Sequence, residues 1–255
     1  MLTLGACADV DADALENEDL AGEESDDLAQ LFPRADAGTA TTAETDGAAE
    51  PVADQGVGDG KDVIMMGDSW MSLLGNGLQD AIKRKGKRYR EYGVPGVKML
   101  SGLGAIPGQF DTAVRADRDI KTVIMTGGGN DVLLGGAERA DCPRGGPTCQ
   151  KLIVNIRAEL VKLWEKMAAA GVKDVLYVGY SESAGKTSAT PQVTNTMTNG
   201  TGEACLAMKS LRCTPLDSTP IVGSSLADGI HPTRGAHDKL ADAVLKLMEQ
   251  KGMRR

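Results

Sequence analysis

The chain contains few of the residues that mark nucleic-acid, metal and membrane proteins. Aromatic residues make up 3% of its 255 residues, and it has two histidines. Because platforms for single-stranded nucleic acid stack bases on aromatic side chains, no nucleic-acid partner is predicted. The five cysteines include no Cys-x-x-Cys pair, which argues against zinc, so no metal is predicted. The sequence also lacks an apolar stretch long enough to span a bilayer.

Charge divides the chain into two unequal parts. Residues 1–60 contain 16 Asp and Glu residues and a single base, Arg34, which gives a net charge of −15. Residues 61–255 keep 20 acids and 27 bases, a net charge of +7. The first part is rich in Ala, Gly and Thr and cannot bury enough apolar surface to offset its ordering entropy. We therefore expect a disordered acidic tail over 1–60 and one catalytic domain over 61–255.

The tail contains one further feature, Cys7. Leu4-Gly5-Ala6-Cys7 resembles the end of a bacterial lipoprotein signal, in which the cysteine is lipidated, and this implies a translation start further upstream. The alternative is a chance cysteine in a disordered tail. If Cys7 is lipidated, the tail is a tether and the domain is secreted or anchored at the cell envelope, with membrane contact only through the anchor.

The other four cysteines are Cys142, Cys149, Cys205 and Cys213. They fall into two closely spaced pairs within polar stretches. Of the three possible pairings, the simplest joins Cys142 to Cys149 and Cys205 to Cys213. Each bond would close an irregular loop, and both would require an oxidising compartment.

Apolar runs and helical patterns alternate along the rest of the chain. Strands are expected at 62–67, 88–94, 121–126 and 173–179, helices at 73–85, 151–170 and 234–250, and a loop over 180–215. Strands separated by helices pair in parallel. The pattern predicts an α/β protein, a three-layer α/β/α sandwich around a central parallel sheet.

Four candidate functional residues lie at one end of this predicted sheet. Ser69, Gly96 and Asn130 follow the first, second and third strands, and His231 precedes the last helix. In open parallel sheets, ligands bind outside the carboxyl ends of the strands. The sequence therefore predicts a site at this edge.

Each of these residues also has a purely structural interpretation. Asp68 or Ser69 could cap the helix that follows, and the Gly-x-Ser-x-Gly elbow is absent because position 71 is Met. Asn130 follows three glycines, where it could be an amide donor close to a ligand or a turn residue in the left-handed conformation.

His231 lies three residues after Asp228, close enough for the carboxylate to hold its imidazole. The alternative is a histidine in a surface loop. The second histidine, His237, belongs to the closing helix and is interpreted as structural.

Taken together, the motifs resemble the SGNH (GDSL-like) hydrolase family. The family's blocks occur in order as Gly67-Asp68-Ser69, Gly93-Val94-Pro95-Gly96, Gly128-Gly129-Asn130-Asp131 and Asp228-Gly229-Ile230-His231. The second block is the weakest match, and Gly93 and Gly102 compete with Gly96. The resemblance covers about residues 61–250 and implies the family's flavodoxin-like α/β/α fold.

The resemblance also implies a serine esterase. Ser69 would attack an acyl carbonyl, His231 would take its proton, and Asp228 would orient the imidazole. The oxyanion would be held by the backbone N–H groups of Ser69 and Gly96 and by the Asn130 amide. No cofactor is implied, and the substrate would be a small acyl ester, a lipid or an acylated glycan. An acyl (acetyl) transferase acting on a cell-envelope glycan and an inactive surface binding module of the same fold remain alternatives.

Two further motifs are interpreted as incidental. The segment 179–187 is similar to a P-loop but has five residues before Gly-Lys-Thr instead of four. Ser183 and Lys186 have the spacing of a serine–lysine dyad but lie in a predicted loop.

The basic run over 83–90 is interpreted as the solvated end of a helix. Two alternatives stay open. The run could bind an anionic polymer or phospholipid surface, or it could bind the acidic tail.

Overall fold

A computed structural model describes residues 60–255, except residues 74, 103, 186–188 and 190 and the side chains of 138 and 192. The predicted tail, Cys7 and Lys186 lie outside the described residues. The strands are β1 (Val63–Met66), β2 (Arg90–Glu91), β3 (Thr122–Met125), β4 (Asp174–Val178) and β5 (Arg212–Leu216). The helices are α1 (Leu78–Arg84), α2 (Ile106–Ala116), α3 (Gly129–Leu134), α4 (Pro147–Ala169), α5 (Pro191–Ala207), α6 (Thr219–Val222) and α7 (Arg234–Gln250). Two 3-10 turns span Ala137–Arg139 and Cys142–Arg144.

The five strands form one parallel sheet in the order β2-β1-β3-β4-β5. Every residue of β1, β3 and β4 is buried. Strands covered on both faces are continuous apolar runs, as Val63–Met66 is here. The predicted fold class is confirmed.

Helices cover both faces of the sheet. The chain passes from β1 to β2 at one edge and then crosses back over β1 to reach β3. Because such connections are right-handed, α1 lies on the face opposite α2, α4 and α5. Helix α1 packs against α7. On the other face, Ile106 of α2 and Leu160 of α4 both approach Gly127.

This topology places a crevice between β1 and β3. The chain runs towards opposite edges of the sheet from these two neighbouring strands, which makes their carboxyl ends the switch point where ligands bind in such folds. Ser69 follows β1, and Asn130 follows β3. The strand order therefore brings these two residues to the mouth of one crevice.

The predicted loop over 180–215 is wrong, since it contains helix α5 and strand β5. Helix α5 is rich in Thr, Asn and Gly, which are weak helix formers, and its apolar periodicity is faint. The helix is stabilised by packing against α4 and β5. Strand β5 contains Pro215, which an edge strand tolerates because one side of it needs no ladder hydrogen bond.

Two other element boundaries differ from the prediction. Helix α1 begins at Leu78 instead of residue 73, because Gly75, Asn76 and Gly77 interrupt the helical pattern and Gly77 becomes the N-cap. Its basic last turn and the left-handed Gly86 (φ 80°) match the predicted helix end. The strand expected at 88–94 shortens to Arg90–Glu91.

Both predicted disulfides are present, joining Cys142 to Cys149 and Cys205 to Cys213. The first connects a 3-10 turn to α4, and the second connects α5 to β5. Each bond closes a short irregular connection, residues 145–146 in the first and 208–211 in the second, as expected, but the cysteines themselves lie in the elements on either side. The bonds join regular elements because the polar stretches around these cysteines fold into helix and strand.

Within residues 60–255, apart from the gaps named above, no helix is both long and apolar enough to cross a bilayer.

Candidate active site

The side chains of Ser69, His231 and Asp228 form a continuous hydrogen-bonded chain. Nε2 of His231 lies 2.8 Å from Oγ of Ser69, and Nδ1 lies 2.6 Å from Oδ2 of Asp228. An ionised carboxylate can only accept, so Nδ1 carries a proton and Nε2 of the neutral ring accepts from the serine hydroxyl. Residues 162 positions apart in sequence are thus held in the geometry of a nucleophile, a base and an orienting acid.

Asp228 is held in its ionised form by the loop that contains it. Burial raises the pKa of Asp228, but hydrogen bonds from the backbone and side chain of His231 and from the Ile230 N–H outweigh it and lower the pKa to about 2. Its Oδ1 accepts from the N–H groups of Ile230 at 2.9 Å and His231 at 2.8 Å. The turn passes through Gly229 at φ +83°, a conformation that glycine adopts without strain. The carboxylate can therefore stabilise a positive imidazolium.

Ser69 lies on a tight turn after β1. The Met71 and Ser72 N–H groups donate to the Asp68 carbonyl, each at 3.0 Å. Because α1 begins only at Leu78, neither Asp68 nor Ser69 caps a helix, and that alternative is wrong. Ser69 is 7% exposed, so its hydroxyl is largely shielded and faces the imidazole.

The Asp68 carboxylate fixes this turn from inside. It accepts hydrogen bonds from the Trp70 N–H at 3.1 Å, from the Thr126 hydroxyl at 3.1 Å and from the Tyr180 hydroxyl. Burial raises the pKa of Asp68, and these three hydrogen bonds act in the opposite direction. Asp68 is 1% exposed and acts as a structural anchor of the Ser69 turn.

Trp70 connects the serine turn to the histidine loop. Its indole Nε1 donates to the Ile230 carbonyl at 3.0 Å, one residue before His231. Its ring packs edge-on against Tyr180, with the centroids 5.2 Å apart. The sequence motifs do not identify this contact. A buried indole N–H needs an acceptor, but nothing in the sequence indicates which carbonyl supplies it.

Asn130 lies in the first turn of α3 and not in a left-handed turn, so that alternative is wrong. Its side chain is buried, and Nδ2 donates to the Val97 carbonyl at 2.9 Å. Asp131 accepts from the N–H groups of Met99 at 2.7 Å and Leu100 at 3.0 Å. Burial raises the pKa of Asp131, and these two hydrogen bonds partly offset that effect by lowering it. The two side chains fasten the segment after Gly96 to α3.

The competing glycines of the second block differ in their surroundings. A Cβ at Gly93 would lie 2.3 Å from Oε1 of Gln79, so Gly93 is closely packed against that side chain. Gly96 is exposed, has φ +77°, and has open space where a Cβ would be. Gly102 is also exposed and open. Of the glycines in this block, Gly96 is directly followed by Val97, the residue bonded to Asn130.

The three glycines before Asn130 leave room for neighbouring side chains of the protein itself, and those side chains fill the space beside them. A Cβ at Gly128 would lie 2.5 Å from Cγ2 of Ile156, and a Cβ at Gly129 would lie 2.7 Å from the Tyr180 ring. Gly128 also has φ +96°, which favours glycine. The expectation that these glycines bring backbone close to a ligand is not what the structure shows.

The remaining candidates are structural. His237 in α7 is fully buried, and this burial lowers its pKa to about 4, so it is neutral at pH 7. In the basic run, the shortest ion pairs join Lys83 to Glu91 at 2.7 Å, Arg84 to Asp238 at 2.8 Å and Lys85 to Asp242 at 2.7 Å. These pairs favour the interpretation as a solvated helix end. In the part of the chain that the structure describes, no cluster of three or more His, Cys, Asp or Glu residues could hold a metal ion.

Sequence comparisons find no relative. No family model and no curated protein matches the chain. Comparison of the structure with solved structures does find similar proteins, which include a lipase, acetylesterases and aryl esterases at sequence identities between 14% and 17%.

Three of these structures illustrate the likeness. A GDSL-like lipase from Bacteroides thetaiotaomicron has a TM-score of 0.52 and 17% identity, and the match covers 74% of this chain and 88% of that chain. A carbohydrate acetylesterase from Sinorhizobium meliloti has a TM-score of 0.56 and 15% identity, covering 75% and 99%. The aryl esterase of M. smegmatis has a TM-score of 0.55 and 15% identity, covering 74% and 99%. The chain has the α/β/α fold that GDSL-like lipases and acetylesterases of the SGNH type share.

Proposed function

We propose that the protein is a serine esterase that hydrolyses carboxylic esters. The observation that carries this proposal is the hydrogen-bonded chain from Ser69 through His231 to Asp228, with contacts of 2.8 and 2.6 Å. A serine hydroxyl is a weak nucleophile until an adjacent base takes its proton, and this chain supplies that base and its orienting carboxylate. The esterases and lipases that share the fold support the same reaction.

Catalysis proceeds in two halves. In the first, Ser69 Oγ forms a bond to the acyl carbon while its proton passes to His231 Nε2. Collapse of the tetrahedral intermediate breaks the ester C–O bond, and His231 returns the proton to the leaving alcohol. In the second half, water attacks the acyl-enzyme, and its proton passes to His231. Collapse of the second intermediate releases the carboxylic acid and returns a proton from His231 to Ser69. Asp228 stabilises the imidazolium in both halves, and no cofactor takes part.

The oxyanion is assigned to the N–H groups of Ser69 and Gly96 and to the Asn130 side chain. An amide nitrogen carries two hydrogens, and one of those on Asn130 is used by the Val97 carbonyl. That hydrogen bond fixes the rotation of the amide, and the proposal directs the second hydrogen to the oxyanion. Removal of one such preorganised donor typically lowers kcat by about 10²–10³-fold.

The test is a pair of serine substitutions in the same turn. Ser69→Ala removes the proposed nucleophile, whereas Ser72→Ala removes a neighbouring hydroxyl on the same turn. Hydrolysis of p-nitrophenyl acetate should fall by at least about 10³ in kcat for Ser69→Ala and stay within about twofold for Ser72→Ala. A fluorophosphonate should add to the parent and the Ser72 variant but not to Ser69→Ala. Equal activity of Ser69→Ala and the parent would exclude the mechanism.

The proposal extends to the location and substrate of the enzyme. We place it outside the cytoplasm, secreted or held at the cell envelope through a lipid on Cys7, with residues 1–60 as a tether. Two disulfides support an oxidising compartment. The proposed substrate is a small acyl ester or an acylated glycan, in line with the neighbours described as a GDSL-like lipase and a carbohydrate acetylesterase.

A further inference from the structure

Large apolar side chains are exposed at five positions among the described residues. They are Val94 (44% exposed), Leu100 (38%), Leu134 (49%), Val154 (57%) and Leu206 (66%). Single exposed apolar residues are ordinary on protein surfaces. The first three, however, belong to segments that are bonded to the candidate active site, and we call Val94, Leu100 and Leu134 the apolar rim.

Hydrogen bonds fix the first two rim residues beside the site. The Val94 N–H donates to the Gly67 carbonyl at 3.0 Å, two residues before Ser69. The Leu100 N–H donates to the Asp131 carboxylate at 3.0 Å, next to Asn130. The segment from Val94 to Leu100 is therefore tied at one end to the nucleophile turn and at the other to the start of α3.

Leu134 belongs to the same region. It lies three residues after Asp131 in α3, and residues at that spacing share one face of a helix. That face holds the Asp131 carboxylate that accepts the Leu100 N–H. Leu134 and Leu100 thus extend from neighbouring backbone, and both keep a large part of their surface in water.

The two aromatic residues that anchor the serine turn are not available for binding sugar rings. Trp70 is 2% exposed and Tyr180 is 3% exposed, because both rings pack inside and anchor the serine turn. The segment 93–105 contains no aromatic residue. Carbohydrate rings stack on exposed aromatic faces, whereas an alkyl chain gains from any apolar surface that it removes from water.

We propose that the apolar rim binds the acyl chain of the substrate, so that the enzyme prefers esters of acyl groups longer than acetyl. This inference rests on the proposed esterase function and specifies its substrate class. Val94 and Leu100 lie on the segment that contains Gly96, so a chain leaving the acyl carbon on that side would meet them. Partial burial of each methylene on the rim should raise kcat/KM by about twofold.

The test compares acyl lengths and matched apolar-to-serine substitutions in the full-length protein. The substrates are p-nitrophenyl acetate, butyrate and hexanoate, together with an acetylated xylo-oligosaccharide. For the parent, kcat/KM should rise about sixteenfold from acetate to hexanoate, which adds four methylenes. Leu100→Ser and Leu134→Ser should each lower the hexanoate-to-acetate ratio by about threefold or more. Val154→Ser, a similarly exposed residue on α4, is the control and should leave the ratio unchanged.

The outcomes separate this inference from the proposed function. If the parent hydrolyses acetate through Ser69 but both rim variants keep the parental ratio, the rim does not bind the acyl chain, and the esterase function stands. If acetate or the acetylated sugar is preferred over hexanoate, the inference is overturned in the same way. If no ester is hydrolysed and Ser69 is not labelled, both proposals fail.

Discussion

At the scale of single residues, Trp70 joins the two loops of the proposed site. It follows the proposed nucleophile and donates to the carbonyl before the proposed base, at 3.0 Å. This hydrogen bond ties the serine turn to the histidine loop. Without it the two segments could shift relative to each other, so it helps to keep the imidazole within hydrogen-bond distance of the serine hydroxyl. Trp70 is thus a positioning residue and not a catalytic one.

We predict that Trp70→Phe lowers kcat for p-nitrophenyl acetate by about fivefold and changes KM by less than about twofold, since one hydrogen bond of about 1 kcal/mol is lost from the alignment of the base. Steady-state kinetics give both parameters. Trp164→Phe is the control, because Trp164 is also buried and donates to Met125 Sδ away from the site. A Trp70→Phe enzyme with parental kcat would show that the indole N–H does not position the base.

His237 gives a pH dependence of stability. Its pKa is about 4 in the folded protein against 6.5 for an unperturbed histidine. The unfolded chain therefore binds a proton first, so the stability contributed by this residue is complete above pH 6.5 and is lost as the pH falls towards 4. The loss is at most about 3 kcal/mol, since each pKa unit corresponds to about 1.36 kcal/mol.

The measurement is the free energy of unfolding in urea between pH 7 and pH 4.5. The parent should lose stability over this range, and His237→Leu should lose less, so the difference between the two curves should close on acidification. His231→Asn is the control, because the chain has only two histidines and this variant retains the buried one. Parallel curves for the parent and His237→Leu would contradict the prediction.

Most of the candidate site can be predicted at this scale. Ser69, Asn130, Asp228 and His231 are found by short motifs in which the neighbouring residues are also constrained. Trp70 is not, because its partner Ile230 lies 160 residues away and any backbone carbonyl could have filled that role. A local motif can identify a residue from its neighbours in sequence. The carbonyl that accepts its hydrogen bond is fixed only by the tertiary fold.

At the scale of elements, α5 and β5 lie where the sequence predicted a loop, and a disulfide joins them. Helix α5 has little intrinsic helix propensity and is joined to β5 through Cys205–Cys213, a sequence separation of 8. A covalent loop of this size stabilises by about 2–3 kcal/mol, through the entropy that it removes from the unfolded chain.

We predict that Cys205→Ala with Cys213→Ala lowers the free energy of unfolding by about 2 kcal/mol and speeds amide hydrogen exchange in α5 more than in α1. The pair Cys142→Ala with Cys149→Ala is the matched control, since it should lower stability by a similar amount and speed exchange near the start of α4 instead. Unchanged exchange in α5 would mean that packing alone holds the helix.

At the scale of the whole molecule, the described residues contain a five-stranded sheet, a buried core and the candidate site. From charge and composition, we propose a different role for residues 1–60, that of an acidic tether. The tail should therefore contribute to location and not to folding or chemistry.

We predict that a chain beginning at Gly60 keeps its melting temperature within about 2 °C and its esterase kcat within about twofold, because it retains the whole core. In a bacterial host, when the chain is expressed from the upstream start that the lipoprotein interpretation implies, Cys7→Ser should move the protein from the membrane fraction to the soluble one at unchanged activity. Thermal unfolding, ester kinetics and membrane fractionation measure these three effects. A truncated chain that loses activity would contradict the division of the chain at residue 60.

The sequence by itself determined the layer architecture and the residues that the esterase proposal uses. Buried strands such as Val63–Met66 are uniform apolar runs, and α4 has a clear helical period, so local periodicity is enough to place them. The family blocks place Ser69 and His231 at opposite ends of one domain.

Only the tertiary structure decided the rest: that β1 and β3 are neighbours at the switch point, that α5 and β5 form within a polar stretch, and that Trp70 meets the histidine loop. It also decided that the exposed apolar rim lies beside the site. These features depend on contacts between residues far apart along the chain. Their free energy comes from packing and hydrogen bonding in three dimensions, which no local pattern of residues encodes.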